Sequence, residues 1–244
     1  MNPLHWHSLE PAELAATLAA WQAAWPRMGV LALVPEALAP QLPQLQTACR
    51  QLGVPLLGGI FPALITPAGF SSQGVWLLRL DDMPPSVLLG ALEGPAAVDA
   101  QRLAHALQPA LASWPAEAAP PTLLLLFDGL LPHIASVLDE LYLRLADRVI
   151  YTGANAGSES FQPLPCLFDD TRVLGQSVAA LLLPGPRPPA HGAGARISPA
   201  AHRAVRHHHR GQLRPPFGLA ARVRGVPTHH PSRVRGGAHP GQLL

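Results

Sequence analysis

The sequence contains no lysine and only two cysteines in 244 residues. Cys49 and Cys166 are too far apart in sequence to form the dense disulfide framework of a small secreted domain or the closely spaced thiolates of a zinc site. The amino terminus has no basic segment followed by an apolar core, so we predict no secretory signal. Apolar runs such as 123–127 are long enough for a strand but too short to cross a bilayer. We therefore expect a cytoplasmic protein with no membrane partner.

Acidic residues are absent from the last part of the chain. All 15 acidic residues and seven of the 17 arginines lie in 1–184, which therefore has a net charge of 7 − 15 = −8. Residues 185–244 contain the other ten arginines and are rich in proline, histidine and glycine. Such a segment has too few apolar side chains to offset the entropy of ordering it. We expect 186–244 to be a disordered tail, with a basic arm that binds nucleic acid phosphates as the alternative.

The rest of the chain alternates between helical and strand patterns. The predicted helices are 9–25, 41–52, 96–114 and 132–145. The predicted strands are 29–34, 54–65, 74–80, 122–127 and 148–153, with 171–183 as a hairpin arm or long strand. The segment 54–65 is interrupted by Gly58–Gly59 and Pro62, which predicts a bulged or bent strand. Alternation of this kind predicts an α/β protein with a layered sheet, incomplete at the carboxyl terminus.

The segment "GANAGS" at 153–158 follows a predicted strand, as phosphate-binding loops do. It lacks the Gly-Lys-Ser/Thr triplet, and "FQPLP" follows it in place of a helix, which argues against a nucleotide site. Two other interpretations stay open. Gly153 and Gly157 could simply supply turn conformations, or the segment, including Asn155 and Ser158, could form the floor of a small-ligand pocket.

Asp128 and Gly129 come at the carboxyl end of the predicted strand 122–127, just before a helix. Ligand contacts in α/β proteins often lie at such strand ends. The alternative is that the Asp128 side chain caps the turn that follows.

The cysteines and histidines are the candidate nucleophiles and metal ligands of this chain. Cys166, His133 and Asp128 could form a nucleophilic triad, but Cys166 lies in the apolar segment "PLPCLF", where cysteine is usually a buried hydrophobic residue. The histidine runs at 5–7 and 207–209 have no acidic or thiolate co-ligands nearby, so we predict no metal site.

Several segments, in order, resemble the N-terminal half of a FIST domain, a bacterial sensory module named after F-box and intracellular signal transduction proteins. They are "LGGIFPALI", "QGVWLL", "LFDGLLPHI", "VIYTGANAGSESFQPLPCLFDD" and "SVAALLLPG", and the resemblance covers roughly 28–185. The family usually has a third glycine where this chain has Asn155. The resemblance implies an α/β sensor that binds an amino-acid-like ligand, has no catalytic activity or cofactor, and signals to a partner protein such as a kinase, cyclase or chemoreceptor.

The tail is best interpreted as an out-of-frame translation that begins near Pro186. The degenerate codons of 192–196, 206–212 and 217–226, moved forward by one nucleotide, permit the peptides Val-Leu-Ala-His-Gly, Val-Thr-Thr-Thr-Gly-Gly-Asn and Leu-Asp-Trp-Arg-Pro-Ala-Tyr-Glu-Val-Tyr. These peptides are similar to segments of the FIST family and occur in the family's order.

We therefore predict a helical segment at 1–27, a FIST-type sensory domain at 28–185 and an out-of-frame tail at 186–244. A hydrolase that uses Cys166 and a nucleic acid binder that uses the tail are the alternative functions. The predicted ligand-binding residues are Asp128, Gly129, Gly153, Asn155, Gly157 and Ser158.

Overall fold

The computed structural model describes residues 4–185, and the predicted tail lies outside the described residues. The first half of the described chain contains β1 (Leu4–His7), α1 (Pro11–Ala24), β2 (Gly29–Pro35), α2 (Leu42–Leu52), β3 (Leu56–Phe61), β4 (Leu64–Thr66), β5 (Gly69–Ser71) and β6 (Val75–Leu80). The second half contains β7 (Ser86–Leu89), α3 (Ala96–Ala112), β8 (Thr122–Asp128), α4 (Ile134–Leu145), β9 (Ile150–Ala156), β10 (Leu167–Asp169), β11 (Val173–Leu174) and β12 (Val178–Leu183).

The four predicted helices are confirmed, with ends displaced by a few residues. Helix α1 begins at Pro11, where a missing N–H costs no helical hydrogen bond, and it buries Leu14, Leu18 and Trp21 on one face. Helix α2 ends at Gly53, whose φ of 66° is the left-handed conformation that glycine adopts without a steric penalty.

The strands form two main sheets, which pack face to face between two layers of helices, and a small two-stranded sheet of β4 and β5. One sheet has six strands in the order β1-β6-β2-β3-β10-β11, and the other has four in the order β7-β12-β8-β9. Strand β12 is buried on both faces: Ala179 and Leu181 belong to the core shared with the six-stranded sheet and α1 and α2, whereas Val178, Ala180 and Leu182 pack in the core with α3 and α4. The layered α/β class predicted above is therefore confirmed.

The two halves of the fold repeat one topology. Each half runs strand, helix, strand, helix, strand, hairpin, strand, and its four main strands take the same spatial order, β1-β6-β2-β3 and β7-β12-β8-β9. In both halves the second and third of these strands along the chain are parallel (β2 with β3, β8 with β9), and the strand that ends the half, β6 or β12, is antiparallel to both of its neighbours.

Several element boundaries differ from those expected from the sequence. The segment 1–27 begins with strand β1, which pairs with β6 at the sheet edge. The segment 54–65 is interrupted near Pro62, as predicted, which divides it into β3 and β4, but β3 continues through Gly58 and Gly59. The segment 171–183 contains β11, an arm of the β10–β11 hairpin, and the separate strand β12. The segment from Gly153 to Ala156 is part of β9 and not a loop, because these residues pair in register with β8.

Candidate ligand site along strand β9

Strand β9 is the last strand of the four-stranded sheet. It pairs in parallel with β8 on one side, and no other strand in residues 4–185 pairs with its outer edge. Its sequence, Ile-Tyr-Thr-Gly-Ala-Asn-Ala, contains neither charge nor proline, the features that usually protect an edge strand. Backbone N–H and C=O groups on this edge are therefore free to bind another molecule.

A cavity of about 410 Å³ lies between β9 and helix α4. Its apolar wall comes from strand β8 and helix α4, while β9 supplies the polar groups. No charged side chain lines it; the lining residues are Leu125, Phe127, Ile134, Leu138, Tyr151, Thr152, Gly153, Ala154 and Asn155.

Tyr151 lines this cavity and carries an unpaired polar group. Its hydroxyl is buried and has no hydrogen-bond partner among residues 4–185, although most buried polar groups in proteins have one. Burial raises the pKa of Tyr151, and the neighbouring Tyr142 raises it further. The hydroxyl therefore stays protonated at neutral pH and can both donate and accept a hydrogen bond.

Gly153 and Asn155 are the predicted site residues that line the cavity. Together with Tyr151 they occupy alternate positions of β9, opposite Leu125, Phe127 and Leu123 of β8, so they share one face of the strand. An added Cβ atom at Gly153 would collide with the carbonyl oxygen of Leu125, so this position requires glycine.

Asp128 lies at the end of β8 and is buried. Its carboxylate accepts hydrogen bonds from the backbone N–H of Leu130 at 3.0 Å and of Gln176 at 2.7 Å. The side chain thus joins the turn after β8 to the start of β12. This is the capping arrangement that we considered from the sequence, and Asp128 does not line the β9 cavity.

The other predicted site residues lie at the same end of β8 and β9. The backbone N–H of Gly129 donates a hydrogen bond to the carbonyl oxygen of Ala156 at 2.8 Å, and the N–H of Gly157 donates to the carbonyl oxygen of Ile60 at 2.8 Å. The Ser158 hydroxyl donates to the Glu36 carboxylate at 2.7 Å. Of the six predicted residues, only Gly153 and Asn155 line the cavity, whereas the other four lie at the carboxyl ends of β8 and β9.

Tyr151, Thr152 and the residues of β8 and α4 that complete the cavity were not predicted from the sequence. A period of two from Tyr151 through Gly153 to Asn155 would have indicated one strand face. The signal was hidden because glycine and asparagine are typical of turns.

The arrangement of Cys166, His133 and Asp128 does not resemble a nucleophilic triad. Cys166 is fully buried, whereas His133 is exposed. Burial, together with the charge and a hydrogen bond of the adjacent Asp128 carboxylate, raises the pKa of Cys166 to about 12. The prediction of a buried Cys166 is therefore confirmed.

We expect Cys166 to react slowly with a small thiol reagent in the native protein. A pKa that rises from 9.0 to about 12 lowers the thiolate fraction at pH 8 about a thousandfold. Labelling followed by peptide mapping measures the rate, and a Ser160→Cys variant provides an exposed control thiol. Labelling of Cys166 as fast as the control would support the hydrolase interpretation.

Neither a metal cluster nor a membrane-spanning helix is found in residues 4–185. No group of three histidine, cysteine, aspartate or glutamate residues in this part of the chain could hold a metal ion. No helix within the same range is both long and apolar enough to cross a membrane.

Comparison with known families gives a match to the FIST N domain over residues 30–205, which is more than half of the chain. The chain belongs to the FIST family. FIST domains are sensory, non-catalytic domains of signal transduction. Curated proteins and solved structures gave no match. The FIST match continues past residue 185, so the domain boundary at that residue stays a prediction.

Proposed function

We propose that this FIST domain is a non-catalytic, cytoplasmic sensor that binds a small amino-acid-like ligand beside β9 and signals its presence to a partner protein. The observation that carries the proposal is the unpaired Tyr151 hydroxyl, which is buried on a strand whose outer edge is also unpaired. A ligand with its own donors and acceptors would satisfy both.

The cavity suits an amino acid with an apolar side chain. A zwitterion has no net charge, and the lining residues carry none. Its ammonium group can donate to backbone carbonyls on the β9 edge, and its carboxylate can accept from backbone N–H groups or the Asn155 amide. The leucine, isoleucine and phenylalanine side chains of β8 and α4 offer an apolar surface for the rest of the ligand.

Gly153 and Asn155 would contact the ligand directly in this proposal. Gly153 has no side chain, so a ligand can approach the strand backbone closely. Asp128, Gly129, Gly157 and Ser158 would instead maintain the rim, because their hydrogen bonds connect the ends of β8 and β9 to neighbouring segments.

We expect L-leucine, L-methionine or L-phenylalanine to raise the melting temperature of the full chain in a concentration-dependent way. A ligand that binds the folded state alone stabilises it by mass action. In isothermal titration, Tyr151→Phe should weaken binding by about tenfold, which corresponds to one hydrogen bond of about 1.4 kcal/mol.

Tyr142→Phe is the matched control, because Tyr142 is 58% exposed and its ring lies 5.8 Å from that of Tyr151. This control should bind each amino acid as the wild type does. The proposal would be contradicted if none of the three amino acids altered the melting temperature, or if both tyrosine variants lost affinity equally.

A further inference from the structure

We propose that the β4–β5 hairpin, Leu64–Ser71, is a flap that closes on the free edge of β9 and seats Ile65 over Gly153. The fold already contains one example of such a pairing. In the second half of the repeat, the corresponding hairpin β10–β11 crosses to the other sheet and pairs with the edge of β3. The β4–β5 hairpin of the first half forms a separate two-stranded sheet, so the equivalent pairing with β9 is not made.

The edges of β3 and β9 are built alike. Gly58 of β3 pairs with Ala32, and Gly153 of β9 pairs with Leu125. At each glycine an added Cβ atom would strike the carbonyl oxygen of that partner. At Gly58 the space is occupied by the ring of Phe168 from β10. At Gly153 the corresponding space opens into the β9 cavity.

The two hairpins also begin alike, which determines the expected register. The Thr66 hydroxyl accepts the backbone N–H of Ala68 two residues later, as the Asp169 carboxylate does from Thr171. Thr66 therefore corresponds to Asp169, and Ile65 to Phe168. Because Phe168 pairs with Gly58 and Asp169 with Leu57, the predicted partners are Ile65 with Gly153 and Thr66 with Thr152.

The exposure of the β4–β5 hairpin favours its closure on β9. Phe168 is fully buried, whereas Ile65 is 73% exposed and Phe70 in the same hairpin is 81% exposed. A short hairpin that exposes two large apolar side chains gains free energy when it covers them. Pairing with β9 would place Ile65 against the apolar wall that α4 and β8 present to the cavity.

The chain connections place the hairpin within reach. The Gly157 N–H donates to the Ile60 carbonyl at 2.8 Å, so the end of β3 lies beside the end of β9. Strand β4 begins three residues after Phe61 and can run antiparallel to β9 from that point. A second cavity, of about 520 Å³, now separates Leu64 and Ile65 from Gly153 and Ala154. Closure would fill this gap and give both sheets six strands in equivalent order.

The pairing is tested by a disulfide between Thr66→Cys and Thr152→Cys in the full chain without added ligand. Directly opposed residues of antiparallel strands have Cβ atoms about 4.5–5.5 Å apart, so mild oxidation should give an intramolecular crosslink in most molecules. Peptide mapping distinguishes it from bonds to Cys49 or Cys166, both of which are buried. An unchanged melting temperature of the reduced variant shows that it folds.

Ser71→Cys combined with Thr152→Cys is the matched control. Ser71 lies on β5, opposite Leu64, one strand farther from β9 in the closed arrangement, and should crosslink at least tenfold more slowly. Equal crosslinking of both pairs, or none in either, would overturn the proposal. A disulfide-linked dimer would also overturn it, because the β9 edge would then pair with a second copy.

Closure and ligand binding would compete, a consequence that rests on the proposed function. An amino acid in the β9 cavity would occupy the position of the Ile65 side chain and hold the hairpin open. The crosslink measured without ligand tests the pairing alone, whereas the amino acid titration tests the ligand site alone. Failure of one result is therefore distinguishable from failure of the other.

Discussion

Replacing Phe168 by alanine is expected to lower the free energy of unfolding by about 3–5 kcal/mol, the usual cost of removing a buried phenylalanine ring. Phe168 is fully buried, and its ring packs over Gly58 in the middle of the six-stranded sheet. The backbone of β3 is held by pairing on both sides, so it cannot move to fill the space. Urea denaturation monitored by circular dichroism measures the change.

Phe161→Ala provides the control for loss of the same ring from an exposed position. Phe161 is 79% exposed and lies outside the β4–β5 hairpin, and its replacement should change the free energy of unfolding by less than about 0.5 kcal/mol. A cost below about 1 kcal/mol for Phe168→Ala would contradict the packing of β10 against β3. It would also contradict the flap proposal, which is based on the pairing of β10 with β3.

Replacing Asp128 by alanine is expected to lower the free energy of unfolding by about 2–4 kcal/mol. The substitution would leave the backbone N–H groups of Leu130 and Gln176 without their acceptor, and each unsatisfied buried donor costs about 1–3 kcal/mol. Thermal and chemical denaturation both measure the loss. Asp139→Ala, at an exposed position on α4, should cost less than about 0.5 kcal/mol.

The Asp128 variant also separates the two interpretations that the sequence left open. A capping residue affects stability first, and amino acid binding by the molecules that remain folded should be unchanged. A variant with wild-type stability that no longer binds any of the three amino acids would show that Asp128 is a ligand contact.

The function proposed here depends on groups that the fold leaves unpaired. Among residues 4–185 the Tyr151 hydroxyl and the outer edge of β9 have no partner, and our two proposals assign them different ones: an amino acid in the cavity for both, or the hairpin that carries Ile65 for the strand edge. A sensor needs two states that differ in free energy by an amount that a ligand can offset. In our proposals the two states are the closed hairpin paired with β9 and the open hairpin with an amino acid in the cavity.

The helices and the long buried strands could be predicted from the sequence because their signals are local. Leu14, Leu18 and Trp21 repeat at helical spacing, Gly53 ends α2, and the apolar run of β8 is typical of a strand buried on both faces. Family membership could also be predicted from the sequence, because the motif segments lie in one continuous part of the chain.

The short strands and the true end of β9 were determined by tertiary structure. Strands β10 and β11 have three and two residues, too few to show a period, and they form because β3 offers an unpaired edge. Gly153 and Asn155 suggest a turn when considered alone, yet they continue β9 because β8 supplies hydrogen-bond partners in register.

By itself, the sequence determined the alternation of helices and strands, the family and the burial of Cys166, since each depends on residues close together in the chain. Tertiary structure decided which of the six predicted site residues face a cavity. Asp128 and Ser158 bond to Gln176 and Glu36, 48 and 122 positions away. Such partners follow from how strands are ordered across two sheets, and no local pattern in the chain encodes that order.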